Sequence, residues 1–171
     1  WMNPSPEAGT SLSGWLDYLE QIHSMEIELG LERVLLVYRR LLPRGCSARV
    51  VTVAGTNGKG STVHALEQLL RAEGRHTGAY TSPHIQRFNE RMRINGEEVS
   101  DGEITGAFQA VEQARQSTAL TYFEFSTLAA LWLFEQRRLE YFLLEVGLGG
   151  RLDAVNIVDP DLAIITSVDL D

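Results

Sequence analysis

Apolar residues recur along this chain in two periods, and the alternation between those periods predicts its architecture. Leu12, Trp15, Leu16, Leu19 and Ile22 fall on one face of a helix over residues 11–23, with Ser11 or Ser13 as N-cap. Leu31, Val34, Leu35, Tyr38, Leu41 and Leu42 repeat at the same spacing until Pro43 stops the run, giving a second helix. Residues 49–54 (RVVTVA) are rich in β-branched side chains, as a strand covered on both faces requires. A glycine-rich turn follows, then a helix over residues 59–73 with Val63, Leu66, Leu69 and Leu70 inward and Gly74 closing it.

A short strand is predicted over residues 76–80, and Asn95-Gly96 between RMRI and EEV marks a two-residue hairpin. Ser100 and Glu103 form a capping box for a helix to about residue 117. Residues 123–138 give another helix, with Phe125, Leu128, Ala129, Trp132 and Leu133 inward. Residues 141–146 and 162–168 are short apolar runs of the kind found in buried strands. Strands alternating with helices predict an α/β fold: a doubly wound, mostly parallel sheet flanked by helices, with a small β-hairpin. Residues 1–10, polar and rich in Pro and Gly, are expected to be a loose arm.

Composition narrows the function classes. The formal net charge of −8 over 171 residues argues against the sequence-independent phosphate attraction of nucleic-acid binding. A single cation can still hold a nucleotide phosphate, because screening limits distant charges to about 8 Å at physiological salt. The one cysteine, Cys46, forms no intrachain disulfide and reads as a loop thiol. The N-terminal stretch lacks the basic start and apolar core of a signal peptide, and no segment approaches a membrane span. A soluble, cytoplasmic protein with no nucleic-acid or membrane partner is expected. The chain starts at Trp1 ahead of Met2 and stops at Asp171 after an apolar run, which suggests a fragment.

The stretch VVTVAGTNGKGS (residues 50–61) carries the clearest chemistry. It departs from G-x-x-x-x-G-K-[ST]: Val53 stands where the first glycine belongs, and Gly60 follows the lysine. Gly55, Gly58 and Gly60 nevertheless free the backbone to wrap a phosphate at the positive end of a helix. Lys59 can reach the β/γ-phosphates, and Ser61, or Thr62 beside it, can offer a hydroxyl to Mg²⁺. The bland alternative is a tight turn with Lys59 merely solvated. Glu145, at the end of the strand YFLLE, would supply a carboxylate to the metal; otherwise it caps a nearby amide. The loop GLGGRLD adds Arg151 and Asp153, which could instead pair only with each other. Of the histidines, His23 and His64 fall on helices and His76 starts a strand, which leaves His84 in Ser82-Pro83-His84 as the one to follow.

With those residues placed, the sequence resembles the folylpolyglutamate synthase and dihydrofolate synthase family, within the group of ATP-dependent amide ligases that includes the Mur ligases. IELGLERV (27–34), AGTNGKGS (54–61), TSPH (81–84), ERMRING (90–96), TYFE (121–124) and EVGLGGRLDAVN (145–156) carry the resemblance. It implies that residues 11–171 are the N-terminal part of an incomplete Mur-ligase-like ATP-binding domain. It implies ATP phosphates on Thr56, Asn57, Gly58, Lys59, Gly60 and Ser61, and Mg²⁺ near Ser61, Ser82 and Glu145; a K⁺ ion is also admitted. Dihydropteroate or a reduced folate would lie against Ile27, Glu28, Leu29, Thr121, Tyr122, Phe123, Glu124, Leu152, Asp153 and Ala154.

The tyrosine of TYFE resembles the bifunctional bacterial enzymes, which ligate L-glutamate first to dihydropteroate and later to reduced folates through an acyl phosphate. Lys59 and Glu145 are then the catalytic residues. Family members continue into a metal-binding histidine, a carbamylated lysine and a C-terminal domain; on this resemblance the chain alone is expected to be inactive, and its full-length form a monomer. A Mur-type amino-acid ligase and a non-catalytic nucleotide-binding module are the alternatives.

Overall fold

The computed structural model describes residues 4–23, 30–147 and 150–169. Among them the chain runs α1 (Leu12–His23), α2 (Glu32–Leu41), β1 (Arg49–Ala54), α3 (Lys59–Ala72), β2 (Thr77–Tyr80), β3 (Met92–Ile94), β4 (Glu97–Glu98), α4 (Asp101–Arg115), α5 (Tyr122–Gln136), β5 (Tyr141–Glu145) and β6 (Leu162–Ile165). Short 3₁₀ turns sit at Phe88–Arg91, Gly150–Leu152 and Ala154–Ile157. The sheet order is β4-β3-β2-β5-β1-β6. Strands β2, β5, β1 and β6 are parallel, while β3 and β4 form an antiparallel hairpin on one edge. Asn95 and Gly96 turn that hairpin with φ of 50° and 84°, the positive pair that a two-residue turn of this hand needs.

The sheet divides the apolar interior in two. Val51, Val53, Ala79 and Leu143 face α3 and meet Val63, Leu66 and Leu70. The other face carries Val50, Tyr80, Phe142 and Leu144 into the larger core, where Trp15 of α1, Phe108 of α4, and Phe125 and Phe134 of α5 are fully buried. Local chemistry sets the helix ends. Ser100 and Glu103 cap α4 reciprocally, as their spacing predicts, and Thr121 and Glu124 do the same for α5. At the end of α3, Gly74 has φ of 73° while the Arg75 amide donates to the Leu70 carbonyl and the Gly74 amide to Arg71, a Schellman closure.

Two inward assignments fail. Leu69 is exposed, and α3 buries Glu67 instead, because Arg93 of β3 reaches across to neutralise it, with Nη2 2.9 Å from Oε2. The run over residues 162–168 is not a buried strand: β6 ends at Ile165, pairs only with β1 among the described residues, and leaves Leu162, Ile165 and Val168 exposed. An apolar run states which side chains favour burial, but an edge position in the sheet decides whether they get it. Near the N-terminus, Ser5 Oγ donates to Glu112 of α4 at 2.6 Å. Cys46 is half-buried beside the Tyr38 hydroxyl, and burial raises its thiol pKa. No helix among the described residues is long and apolar enough to cross a membrane.

Candidate functional site

The carboxyl ends of β1, β2 and β5 lie side by side at one end of the sheet, where parallel sheets of this kind receive ligands. Strand β1 hands over to α3 through residues 55–58. Gly55 has φ of 136°, and a Cβ there would collide with Thr166 Oγ1 and come within 2.9 Å of the Ser167 carbonyl. The loop is fastened to the chain after β6: the Thr56 amide donates to Ser167 O at 2.7 Å, and Thr166 Oγ1 to Asn57 O at 2.6 Å. Gly58, at φ 81°, is the N-cap of α3, so the first-turn amides of that helix face the loop. Lys59 Nζ donates to the Gly55 carbonyl at 2.7 Å, which folds the ammonium over the loop. Of the two hydroxyls after the lysine, Thr62 donates to Gly58 O at 2.9 Å. Ser61 is exposed, and its hydroxyl makes no hydrogen bond among the described residues.

Glu145 closes the other side. It is in register with Val53, and it lies so close to the first turn of α3 that a Cβ on Gly60 would be 3.7 Å from its Oε2. Its side chain is buried; Oε2 accepts the Ser82 amide at 3.1 Å, and Oε1 has no hydrogen bond among the described residues. Burial raises its pKa, opposed by the Ser82 amide and by the charges of Lys59 and Arg93. Ser82 begins a loop over residues 82–87 that the 3₁₀ turn Phe88–Arg91 supports. Glu90 accepts the amides of Ile85, Gln86 and Arg87 at 2.8, 2.7 and 2.7 Å. Arg91 Nε donates to His84 Nδ1 at 2.8 Å, and its guanidinium lies over the Phe88 and Tyr122 rings. His84 therefore accepts on Nδ1, and burial followed by the Arg91 charge lowers its pKa.

A second group of sequence-predicted residues lies at the same end of the sheet. Phe123 packs against the Tyr80 ring and fills the space that a side chain on Gly147 would need, 2.9 Å from its Cζ. Beyond Gly147 sits Asp153, 2% exposed, whose Oδ1 accepts the Val155 amide at 2.9 Å. Its Oδ2 is buried without a hydrogen bond of good geometry, although the Gly147 amide is near enough to pull its pKa down a little. Desolvation dominates and pushes the carboxyl up to about 6. Arg151 is exposed and makes no ion pair with Asp153 among the described residues; Leu152 is exposed and Ala154 buried.

Thr121 and Glu124 serve the α5 cap, and Glu124 also pairs with Arg33 of α2 at 3.1 Å. Ile27, Glu28 and Leu29 lie outside the described residues. This end of the sheet thus unites Thr56, Asn57, Gly58, Lys59, Gly60 and Ser61 with Ser82 and Glu145, and sets Tyr122, Phe123 and Asp153 beside them. Sequence reasoning placed Glu90, Arg91 and Gly147 inside quoted motifs but gave none of them an individual role. They act through backbone amides, a histidine nitrogen and a missing side chain, which no residue spacing announces.

The model of the Mur ligase middle domain matches residues 53–171. The chain belongs to that family. It is 53% identical over 167 residues to the dihydrofolate synthase/folylpolyglutamate synthase of Escherichia coli K12, covering 98% of this chain and 40% of that protein. Its identity to the Haemophilus influenzae protein of the same description is 48%, covering 99% and 38%. The structure of E. coli FolC in complex with DHPP and ADP superposes with a TM-score of 0.93 at 53% identity, over 98% of this chain and 40% of that one. The bifunctional enzyme of Yersinia pestis, complexed with AMPPNP and Mn ion, gives 0.93 at 53% identity, over 98% and 41%. This Mur ligase middle domain chain therefore spans about 40% of the length of the relatives it matches.

Proposed function

We propose that this chain is the nucleotide-phosphate half of an ATP-dependent ligase that joins L-glutamate to dihydropteroate and to reduced folates. One observation carries the reading: the buried Glu145 carboxylate abuts the first turn of the helix that Gly58 and Lys59 open, with Ser82 donating to it. That is a phosphate cradle with a hard anionic ligand beside it. The names of the relatives supply the substrate class, and their ADP and AMPPNP complexes support a nucleotide in the cradle.

The residues fit a divalent ion. Glu145 offers Oε1, which has no hydrogen bond among the described residues, and Ser61 and Ser82 offer hydroxyl oxygens, a donor set suited to Mg²⁺ with phosphate and water completing its shell. A carboxylate that burial makes costly to ionise gains most from a cation at its free oxygen. When bound there, Mg²⁺ supplies charge neutralisation to the phosphoryl group being transferred.

The remaining work falls to the chain and its substrates. The acceptor carboxylate oxygen attacks the γ-phosphorus of ATP, the bond to the β-phosphate oxygen breaks, and ADP leaves with that electron pair. Backbone amides at the start of α3 hold the phosphates, and Lys59, released from the Gly55 carbonyl, places its ammonium on the transferring group. The α-amine of glutamate then attacks the acyl carbon, inorganic phosphate departs, and the amine loses a proton. Tyr122 and Phe123 offer aromatic surface to the pterin-bearing acid, and Asp153, largely protonated below about pH 6, offers a donor and acceptor at its far side.

The test is ADP release by the gene product expressed over its full encoded length, with dihydropteroate or tetrahydrofolate and L-glutamate. Lys59→Ala should lower kcat by a factor of about 10²–10³ with both acceptors, in line with the loss of one transition-state electrostatic partner. An unchanged rate would remove Lys59 from the mechanism. Turnover with a UDP-linked muropeptide but neither pteridine would replace the acceptor assignment, and nucleotide binding without acceptor-dependent turnover would favour a binding module.

A further inference from the structure

Apart from His84, whose half-buried ring meets Phe88 edge-on, the loop over residues 82–87 has little to hold it by packing: Pro83, Ile85, Gln86 and Arg87 are all exposed, Ile85 by 91%. Its support is polar and comes from the adjoining 3₁₀ turn. That turn is itself anchored, because Phe88 is buried against Phe108, and the buried Asn89 donates from Nδ2 to the Val99 carbonyl and to Asp101, each at 2.9 Å. From this base Glu90 takes three consecutive loop amides on its two carboxylate oxygens, Oε2 from Ile85 and Oε1 from Gln86 and Arg87. Hydrogen bonds to an ionised acceptor are roughly twice as strong as neutral ones. At its near end the same loop delivers the Ser82 amide to Glu145 Oε2.

The geometry points to Glu90 as a positioning residue for the divalent-cation site: by fastening the distal half of the loop it keeps Ser82 against Glu145. The inference rests on the ligase reading for the metal and not for the loop. Groups that orient a metal ligand through hydrogen bonds typically change affinity 10–100-fold when removed. Glu90→Gln retains an acceptor for two of the amides but turns an NH₂ toward the third, so it should fall between wild type and Glu90→Ala.

Two measurements test it. Hydrogen exchange on the metal-free protein should show that Glu90→Ala speeds the amides of residues 85–87 and also that of Ser82, which Glu90 does not touch, by about tenfold or more. Fast exchange at residues 85–87 with Ser82 unchanged would reduce Glu90 to a local cap and overturn the proposal. In the full-length gene product, Mn²⁺ binding followed by electron paramagnetic resonance should weaken about tenfold or more in Glu90→Ala. ADP affinity in EDTA should stay at the wild-type value. Equal losses of Mn²⁺ and metal-free ADP binding would mark a general structural defect and sink the assignment. If the wild-type protein itself binds no Mn²⁺, the ligase reading fails, while the exchange result still judges the loop.

Discussion

Asp153 is a carboxyl group that this fold prefers to keep protonated. Its ordinary value of 3.8 moves to about 6, because burial outweighs the amides that face it. Below about pH 4 the folded and unfolded chains both hold the proton. Between pH 4 and 6 the unfolded chain releases it first, so stability falls as pH rises and levels off above the folded pKa. Two units correspond to roughly 3 kcal/mol. Asp153→Asn keeps the acceptor for Val155 and removes the ionisation, so urea unfolding should show a gain of about 2–3 kcal/mol at pH 7.5 that vanishes near pH 4. A gain of equal size at both pH values would exclude carboxylate desolvation as its cause. Glu145, raised for the same reason, adds a change of the same sign. Both were legible in sequence as chemistry-bearing types, Glu145 at a strand end and Asp153 in the glycine-rich loop that follows. Their protonation was not, since it depends on groups contributed from elsewhere in the chain, the Phe123 ring in one case and the Ser82 backbone amide in the other.

Between elements, the contact most hidden from the sequence joins α3 to β3. A glutamate at residue 67 within a helix reads as solvent-facing, yet it is 1% exposed and paired with Arg93 at 2.9–3.4 Å. Helical spacing gave the inward face correctly at Val63, Leu66 and Leu70 but assigned Leu69 to it, because periodicity cannot foresee that an arginine 26 residues later in the chain makes a buried carboxylate tolerable. Removing one partner of such a pair strands a buried charge and costs about 3–5 kcal/mol, whereas replacing both with apolar groups is often neutral. Arg93→Met should therefore lower stability by about 3 kcal/mol or more, and the Glu67→Met/Arg93→Met double variant should recover most of it. Additive losses in that cycle would mean that the two side chains stabilise the interface independently. By contrast the hairpin at Asn95-Gly96, the box at Ser100 and Glu103, and the closure at Gly74 were readable in advance, because each is complete within a few residues.

Across the whole molecule, sheet order is what the sequence left open. Alternating strand and helix signals established a mostly parallel sheet, but β-branched runs alone do not say which strand lies in the middle. The order β4-β3-β2-β5-β1-β6 puts β1 between β5 and β6, with Val53 fully buried, and puts β6 on the edge. Residues 49–54 and 162–168 look alike as apolar runs and differ entirely in exposure: Val53 is 0% and Ile165 68% exposed. The same substitution should separate them. In the chain of 171 residues, Ile165→Lys should change stability by no more than about 0.5 kcal/mol, as at other exposed sites, since the ammonium remains in water. A charge on an edge strand also discourages pairing with other chains. Val53→Lys forces a longer, charged side chain between the sheet and α3, against Val63 and Leu143; even with Glu145 in register beside it, the overpacked and desolvated ammonium should abolish cooperative unfolding. Circular dichroism during urea titration distinguishes the two. A loss of several kcal/mol at Ile165 would mean that the outer face of β6 is covered in solution, and that the division of the sheet into a buried centre and a wet edge is wrong.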